Sequence, residues 1–199
     1  MAKQAPFLNS WWLIGGLLLA GFGCQKRAPS LTVPARFVTS SQPGWQRRDG
    51  RLWLADTLFN GWRYVLHATG DTAFVGAYHE GREEGLHCQW YANGQRKEAR
   101  NYQNGWQEGE QRGWYETGNQ AFSYTFRQDV YQGLVREWYA NGRLAREGHY
   151  HEGHEVGLQR VWFADGSVKA NYEARNGRNY GFTGVKRCVN VRDSIAILY

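Results

Sequence analysis

A 24-residue period constrains this chain more than any other feature of its sequence. Gly61, Gly85, Gly109, Gly133, Gly157 and Gly181 stand 24 residues apart, and Gly70, Gly94, Gly118, Gly142 and Gly166 keep the same step in a second register. Trp90, Trp114, Trp138 and Trp162 form a third register, each followed by a ring at Tyr91, Tyr115, Tyr139 or Phe163. Tyr78, Tyr102, Phe126 and Tyr150 form a fourth. Self-similarity at a period of roughly 20–50 residues marks stacked supersecondary units, each burying its apolar surface against its neighbours instead of in one closed core.

The best-spelled copy, Gly133 to Gly157, shows what one unit is. Side chains alternate along a strand, so Leu134, Arg136 and Trp138 share one face and Val135, Glu137 and Tyr139 the other. The run stops at Asn141-Gly142, a strong hairpin signal because both residues tolerate positive φ. The same corner is spelled Asn93-Gly94, Thr117-Gly118 and Asp165-Gly166. A second strand follows from about Arg143 to Tyr150, and Phe122, Tyr124 and Phe126 show its apolar alternation in the preceding copy. The next turn carries Gly153 and Gly157. Asp129 replaces the first glycine of that pair in one copy, a substitution that Asp tolerates in the left-handed region.

One repeat is thus one β-hairpin. Hairpins joined by short turns pair in sequence, which predicts an all-β protein: an elongated, open antiparallel meander of roughly ten strands. Trp and Tyr on opposite faces are expected to form an aromatic ladder on each side. Residues 61–181 hold five repeats, the first degenerate, with Leu66 and His67 in the Trp and Tyr positions. Residues 44–60 read as a shortened hairpin that caps the array, and residues 182–199 as the second cap.

Residues 1–23 read as an export signal: Lys3 supplies a positive start and Trp11 to Phe22 an apolar run. That run falls short of the roughly 20 residues that span a bilayer, so cleavage is expected. Cys24 then resembles the lipidated cysteine of a bacterial lipoprotein box, although Gly21 and Phe22 depart from the usual leucine and small residue. Residues 24–43, with Pro29, Pro34 and Pro43, read as a lipid-anchored tether. The expected place is the outer membrane facing the periplasm, with secretion or the inner membrane as alternatives.

The pattern W-Y-x-N-G, an aromatic, then x-x-G-x-x-x-G is similar to the bacterial variant of MORN repeats, in proteins often labelled YwqK-family antitoxins. The resemblance covers about Gly61 to Gly181. It implies a twisted antiparallel sheet acting in protein or membrane association, with no catalytic residues and no cofactor.

Signatures of catalysis do not appear: there is no G-x-S-x-G, P-loop, G-x-G-x-x-G after a strand, or H-E-x-x-H. The net charge of +6 is spread among acids in every repeat, which excludes the clustered basic patch of a nucleic-acid binder. His149, His151 and His154 stand at a spacing that would let imidazoles meet on one side of a hairpin and hold Zn or Cu. Cys88 and Cys188 lie about eight strands apart, nearly 40 Å at ~4.8 Å per strand, so free or intermolecularly paired thiols are expected. The leading functional expectation is a non-catalytic scaffold for an envelope protein or the membrane. A cell-wall or carbohydrate-binding module and an antitoxin or immunity protein are the alternatives. Exposed edge strands favour a homodimer. The glycines and tryptophans of the array (Gly85, Trp90, Gly94, Gly109, Trp114, Gly118, Gly133, Trp138, Gly142, Gly157, Trp162 and Gly166) are assigned structural roles.

Overall fold

The computed structural model describes residues 31–184. The export signal, Cys24, Cys188 and all but the first three residues of the C-terminal cap lie outside the described residues.

Among the described residues the fold is all β, as the period requires. Strands β1 (Phe37–Thr39), β5 (Gly61–Leu66), β6 (Thr72–His79), β7 (Arg82–Trp90), β8 (Arg96–Gln103), β10 (Gly109–Trp114), β11 (Gln120–Arg127), β13 (Gly133–Trp138), β14 (Leu144–His151), β15 (His154–Trp162), β16 (Val168–Arg175) and β17 (Arg178–Phe182) follow one another across an open sheet. The short strands β9 (Trp106–Gln107) and β12 (Val130–Tyr131) complete its fourteen. A separate three-stranded sheet holds β2 (Trp45–Arg48), β3 (Arg51–Leu54) and β4 (Thr57–Leu58).

The two turns of each unit are of opposite kinds, and their assignment reverses the sequence expectation. At the Asn-Gly corner only the glycine has positive φ, +82° at Gly94 and +80° at Gly142. Tyr91 N donates to Gln95 O at 2.9 Å and Gly94 N to Tyr91 O at 3.0 Å, which makes a three-residue loop with a glycine bulge. The asparagine acts through its side chain instead: Asn93 Oδ1 accepts from Gln95 N at 3.0 Å, and Asn141 and Asp165 repeat the bond. Two consecutive positive φ values occur at the far turn, at Glu80-Gly81, Asn104-Gly105, Gln128-Asp129, Glu152-Gly153 and Asn176-Gly177. Asp129 adopts φ +62°, so its exchange for glycine is accommodated as expected.

A bulge follows each far turn, at Gly85, Gly109, Gly133 and Gly157, all with φ between +65° and +75°. It splits the hairpin arm into β9 and β10, or β12 and β13, and so more and shorter strands appear than the sequence pattern suggested. The side chain two residues later lies buried. Gln111 is fully buried, with Nε2 donating to Asn101 O at 2.9 Å and Oε1 accepting from Asn101 N at 2.7 Å. Gln159 Nε2 repeats the first of these bonds, to His149 O, while its Oε1 is buried without a partner; Val135 and His87 fill the equivalent places in their units.

Three hydrogen-bond ladders tie successive units together at the strand ends. The hydroxyls of Tyr91, Tyr115 and Tyr139 donate to the carbonyls of Trp114, Trp138 and Trp162, at 2.9, 2.7 and 2.8 Å. At the other end, the backbone N of Gly81, Gly105, Asp129 and Gly153 donates to the carbonyls of Phe59, Glu83, Gln107 and Tyr131. Beside it, N–H groups of Glu80, Asn104, Gln128 and Glu152 donate to side-chain oxygens of Asn60, Glu84, Glu108 and Gln132, at 2.8–3.0 Å. His67 of the degenerate first copy meets Trp90 O through Nε2 at 3.1 Å and so takes over the tyrosine's bond.

The N-terminal region departs furthest from expectation. Residues read as tether supply β1, which pairs in parallel with β5. The cap is three strands, and it covers one face of the array: Leu52, Leu54, Phe59 and Tyr78 form a buried cluster, with Val38 and Trp45 packed against it. The side of the sheet that carries Tyr78 is called the capped face below, and the other the open face.

Candidate interaction face

Along the open face the register sets side chains in rows across the strands. Arg112 pairs with Ser123, Ser123 with Arg136, Arg136 with Glu147, Glu147 with Arg160 and Arg160 with Asn171. An arginine therefore recurs every second strand, about 10 Å apart at ~4.8 Å per strand. The same face carries Leu134 and Leu158, two residues before Arg136 and Arg160, and the four tryptophans two residues after the Cys88, Arg112, Arg136 and Arg160 positions. Alternation along each strand is the whole reason this chemistry collects on one side.

Ion pairs order the row. Arg112 Nη2 donates to Glu110 Oε2 at 2.7 Å, and Ser123 Oγ to Glu110 Oε1 at 3.0 Å. The Arg112 hydrogen bond holds the Glu110 carboxyl below its ordinary pKa. Arg136 Nε donates to Glu147 Oε2 at 2.8 Å. Half-exposed pairs of this kind contribute little to stability, about 0–1 kcal/mol, so their effect is to fix side-chain geometry. Arg160 has no carboxylate within ion-pair distance among the described residues.

A groove of about 370 Å³ opens between two units, lined by Glu110, Arg112, Ser123, Leu134, Arg136 and Trp138 among others. No described element lies over it. The tryptophan rings are half-buried, neither sunk in a core nor presented as free platforms. Trp-Tyr ladders on opposite faces are therefore only part of the picture. The tryptophan backs the groove and gives its carbonyl to the neighbouring unit, while the tyrosine works through its hydroxyl.

His149, His151 and His154 fall on this face by register, with His151 opposite His154. All three are exposed, and His151 Nδ1 lies 3.0 Å from Gln132 Nε2. Among the described residues no three His, Cys, Asp or Glu side chains converge on a point where a metal ion could sit. Cys88 is buried on the same face, and burial pushes its thiol pKa up, which makes it a poor nucleophile. The arginine row was legible as Arg112, Arg136 and Arg160 at the 24-residue step, but its pairing with Ser123 and Glu147 needed the register.

The class defined by this geometry is a sheet built of hairpin repeats, with one polar-aromatic face left open. Within it, residues 83–104 and 131–152 match the family described as MORN repeat variant. The two matches stand in identical phase, two periods apart. The intervening unit, with Thr117-Gly118 at its corner, folds into the same hairpin and makes the same tyrosine bond. No curated protein matches the chain.

Proposed function

We propose that the protein is a non-catalytic repeat scaffold, lipid-anchored through Cys24 in the bacterial envelope, that binds a protein partner with its open face. MORN-type repeats serve generally as modules for protein or membrane association, which supports the coarser part of this reading. The choice of a protein partner rests on the groove of Leu134, Arg136 and Trp138, an apolar, cationic and aromatic surface that no described element covers, and the anchor on the reading of Cys24 after an export signal. Aromatic and arginine side chains at the centre of a surface are the usual anchors of protein interfaces.

The test joins anchoring to recognition. A photo-crosslinking amino acid is placed at Leu134 and, separately, at Tyr172 on the opposite face, in wild-type and Cys24→Ala backgrounds in the native host. The expected result is membrane-fraction protein with a discrete adduct from position 134, and loss of both membrane association and adduct in Cys24→Ala. Adducts from position 172 alone would reject the open face. An unmodified Cys24 with residues 1–23 intact would reject the envelope and make the cytosolic antitoxin reading the better one.

A further inference from the structure

A second cleft, of about 520 Å³, lies on the capped face where the repeats emerge from the cap. Its lining includes Arg63, Lys97, Phe74, Trp90, Tyr102 and Gln89. The volume is within the range of small-molecule sites, roughly 300–1,000 Å³.

The two cations stand out because nothing in the fold neutralises them. The Arg63 guanidinium is sandwiched between the rings of Trp45, at 5.7 Å, and Phe74, at 5.9 Å. Its Nε is buried without a hydrogen-bond acceptor. Lys97 Nζ sits 5.6 Å from the centre of the Tyr91 ring. Among the described residues no carboxylate lies within ion-pair distance of either. The carboxylate that does line the cleft, Glu83, is held by Arg47 of the cap at 2.8 Å. Arg63 is half-buried without a counter-charge, which is costly, and aromatic stacking offsets only about 0.5–2 kcal/mol of that cost; Lys97 is exposed where it lines the cleft.

The repeat itself does not require these residues. Equivalent positions to Arg63 in later units hold His87, Gln111, Val135 and Gln159, and the two glutamines and the histidine bond to backbone carbonyls. Positions equivalent to Lys97 hold Ala73, Ala121, Ala145 and Lys169. An arginine at the first of these positions and a lysine at the second thus meet across one junction only, between the first and second units, and it is the junction with the cleft.

Phe74 supplies a wall because Gly76 leaves a hollow. A Cβ at Gly76 would lie 2.6 Å from Phe74 Cζ and 2.7 Å from His87 Nδ1. Tyr102 brings a further ring to the cleft, and the Gln89 amide supplies a donor and an acceptor. Flat rings match the apolar C–H faces of sugars, the amide matches their hydroxyls, and two cations three strands apart, roughly 14 Å at ~4.8 Å per strand, match carboxylates on separate sugar units.

From this combination we infer that the cleft binds an acidic oligosaccharide, with carboxylates of separate sugar units on Arg63 and Lys97 and sugar rings against Phe74 and Tyr102. The site stands apart from the open-face groove, and its occupancy does not depend on the scaffold reading. Calorimetric titration of the full chain with trigalacturonate tests it, with maltotriose and inorganic phosphate as comparisons. Saturable binding of trigalacturonate is expected, at least tenfold weaker in Lys97→Met and in Arg63→Gln, and unchanged in Arg136→Gln on the open face. Should Arg63→Gln lose its far-UV dichroism, Lys97→Met decides alone. The inference is overturned if trigalacturonate does not bind, if Lys97→Met binds it equally, if maltotriose binds as tightly, or if phosphate reproduces the full titration.

Discussion

The two ends of the array solve the same problem by different means. Near the cap the sheet has a second layer, and the cluster of Leu52, Leu54, Phe59 and Tyr78 is a small conventional core. From β10 onward no layer covers either face, and few apolar side chains are buried: Phe126, Val135, Ala170 and Ala174. There the units are held by backbone pairing, by the ladders at the strand ends and by a row of buried and half-buried rings in which Phe126 meets Tyr131 at 4.4 Å and Tyr131 meets Tyr150 at 5.4 Å. The difference teaches that a repeat sheet can dispense with a core where each unit ties its orphan N–H and C=O groups to the next, because those groups would otherwise be unpaired at every turn.

The largest expected effect is at the capped end. Phe59 is 1 % exposed, and Phe59→Ala should cost about 3–5 kcal/mol. Val135, 2 % exposed in the single-layer region, should lose only about 1–2 kcal/mol as Val135→Ala, two methyl groups at ~0.8 kcal/mol each. Urea unfolding of both variants checks the contrast, and equal losses would erase the distinction between the two regions.

A close approach of ring to backbone comes next. Phe122 lies over Gly113, where a Cβ would meet the ring's Cε1 at 2.1 Å. Gly113→Ala should therefore destabilise by about 1–3 kcal/mol, as overpacking does. Adding Phe122→Ala should recover part of that loss, a non-additivity measurable in a double-mutant cycle.

The ladder bonds are individually smaller. Tyr115→Phe removes the donor to Trp138 O and should cost about 0.5–1.5 kcal/mol. Faster hydrogen exchange confined to the turns of the two adjoining units would place the bond between units; uniform exchange across the sheet would not.

The smallest effect is a pH dependence at the junction of the two regions. Burial lowers the His87 pKa from its ordinary 6.5, against the opposing bond to Ala77 O. The unfolded chain thus takes up a proton that the folded chain refuses, so stability present above about pH 6.5 is lost as pH falls below that value toward the depressed one. His87→Gln, which installs the residue found at Gln111 and Gln159, should flatten that part of the melting profile between pH 7 and 5.

Much of the fold is legible in the residues. Alternation gives strands, the glycine registers give turns, and their step gives the hairpin unit. The turn types are not, because Asn-Gly fits both a primed turn and a glycine-bulge loop; the register shift beside the corner, between Gln89 and Trp90 and at the equivalent places, marks the second. His67 looked like a lost tyrosine, yet it keeps the bond, since an imidazole N–H donates as a hydroxyl does. The open-face arginines could be counted in advance, whereas the cation pair at the cleft could not. Arg63 and Lys97 stand 34 positions apart, on strands brought together only by pairing.

The sequence by itself determined the period, the strand-and-turn alphabet and which side chains share a face, because these follow from local geometry with a repeat of two along a strand. Only the tertiary structure decided that the N-terminal segment would fold over one face as a cap, that Phe37–Thr39 would join the sheet in parallel, and that a cleft with two unpaired cations would form beside it. Those outcomes depend on contacts between residues far apart in the chain. Burial of Leu52, Leu54 and Phe59 against Tyr78 is favourable there because the first units of the array offer an uncovered apolar surface.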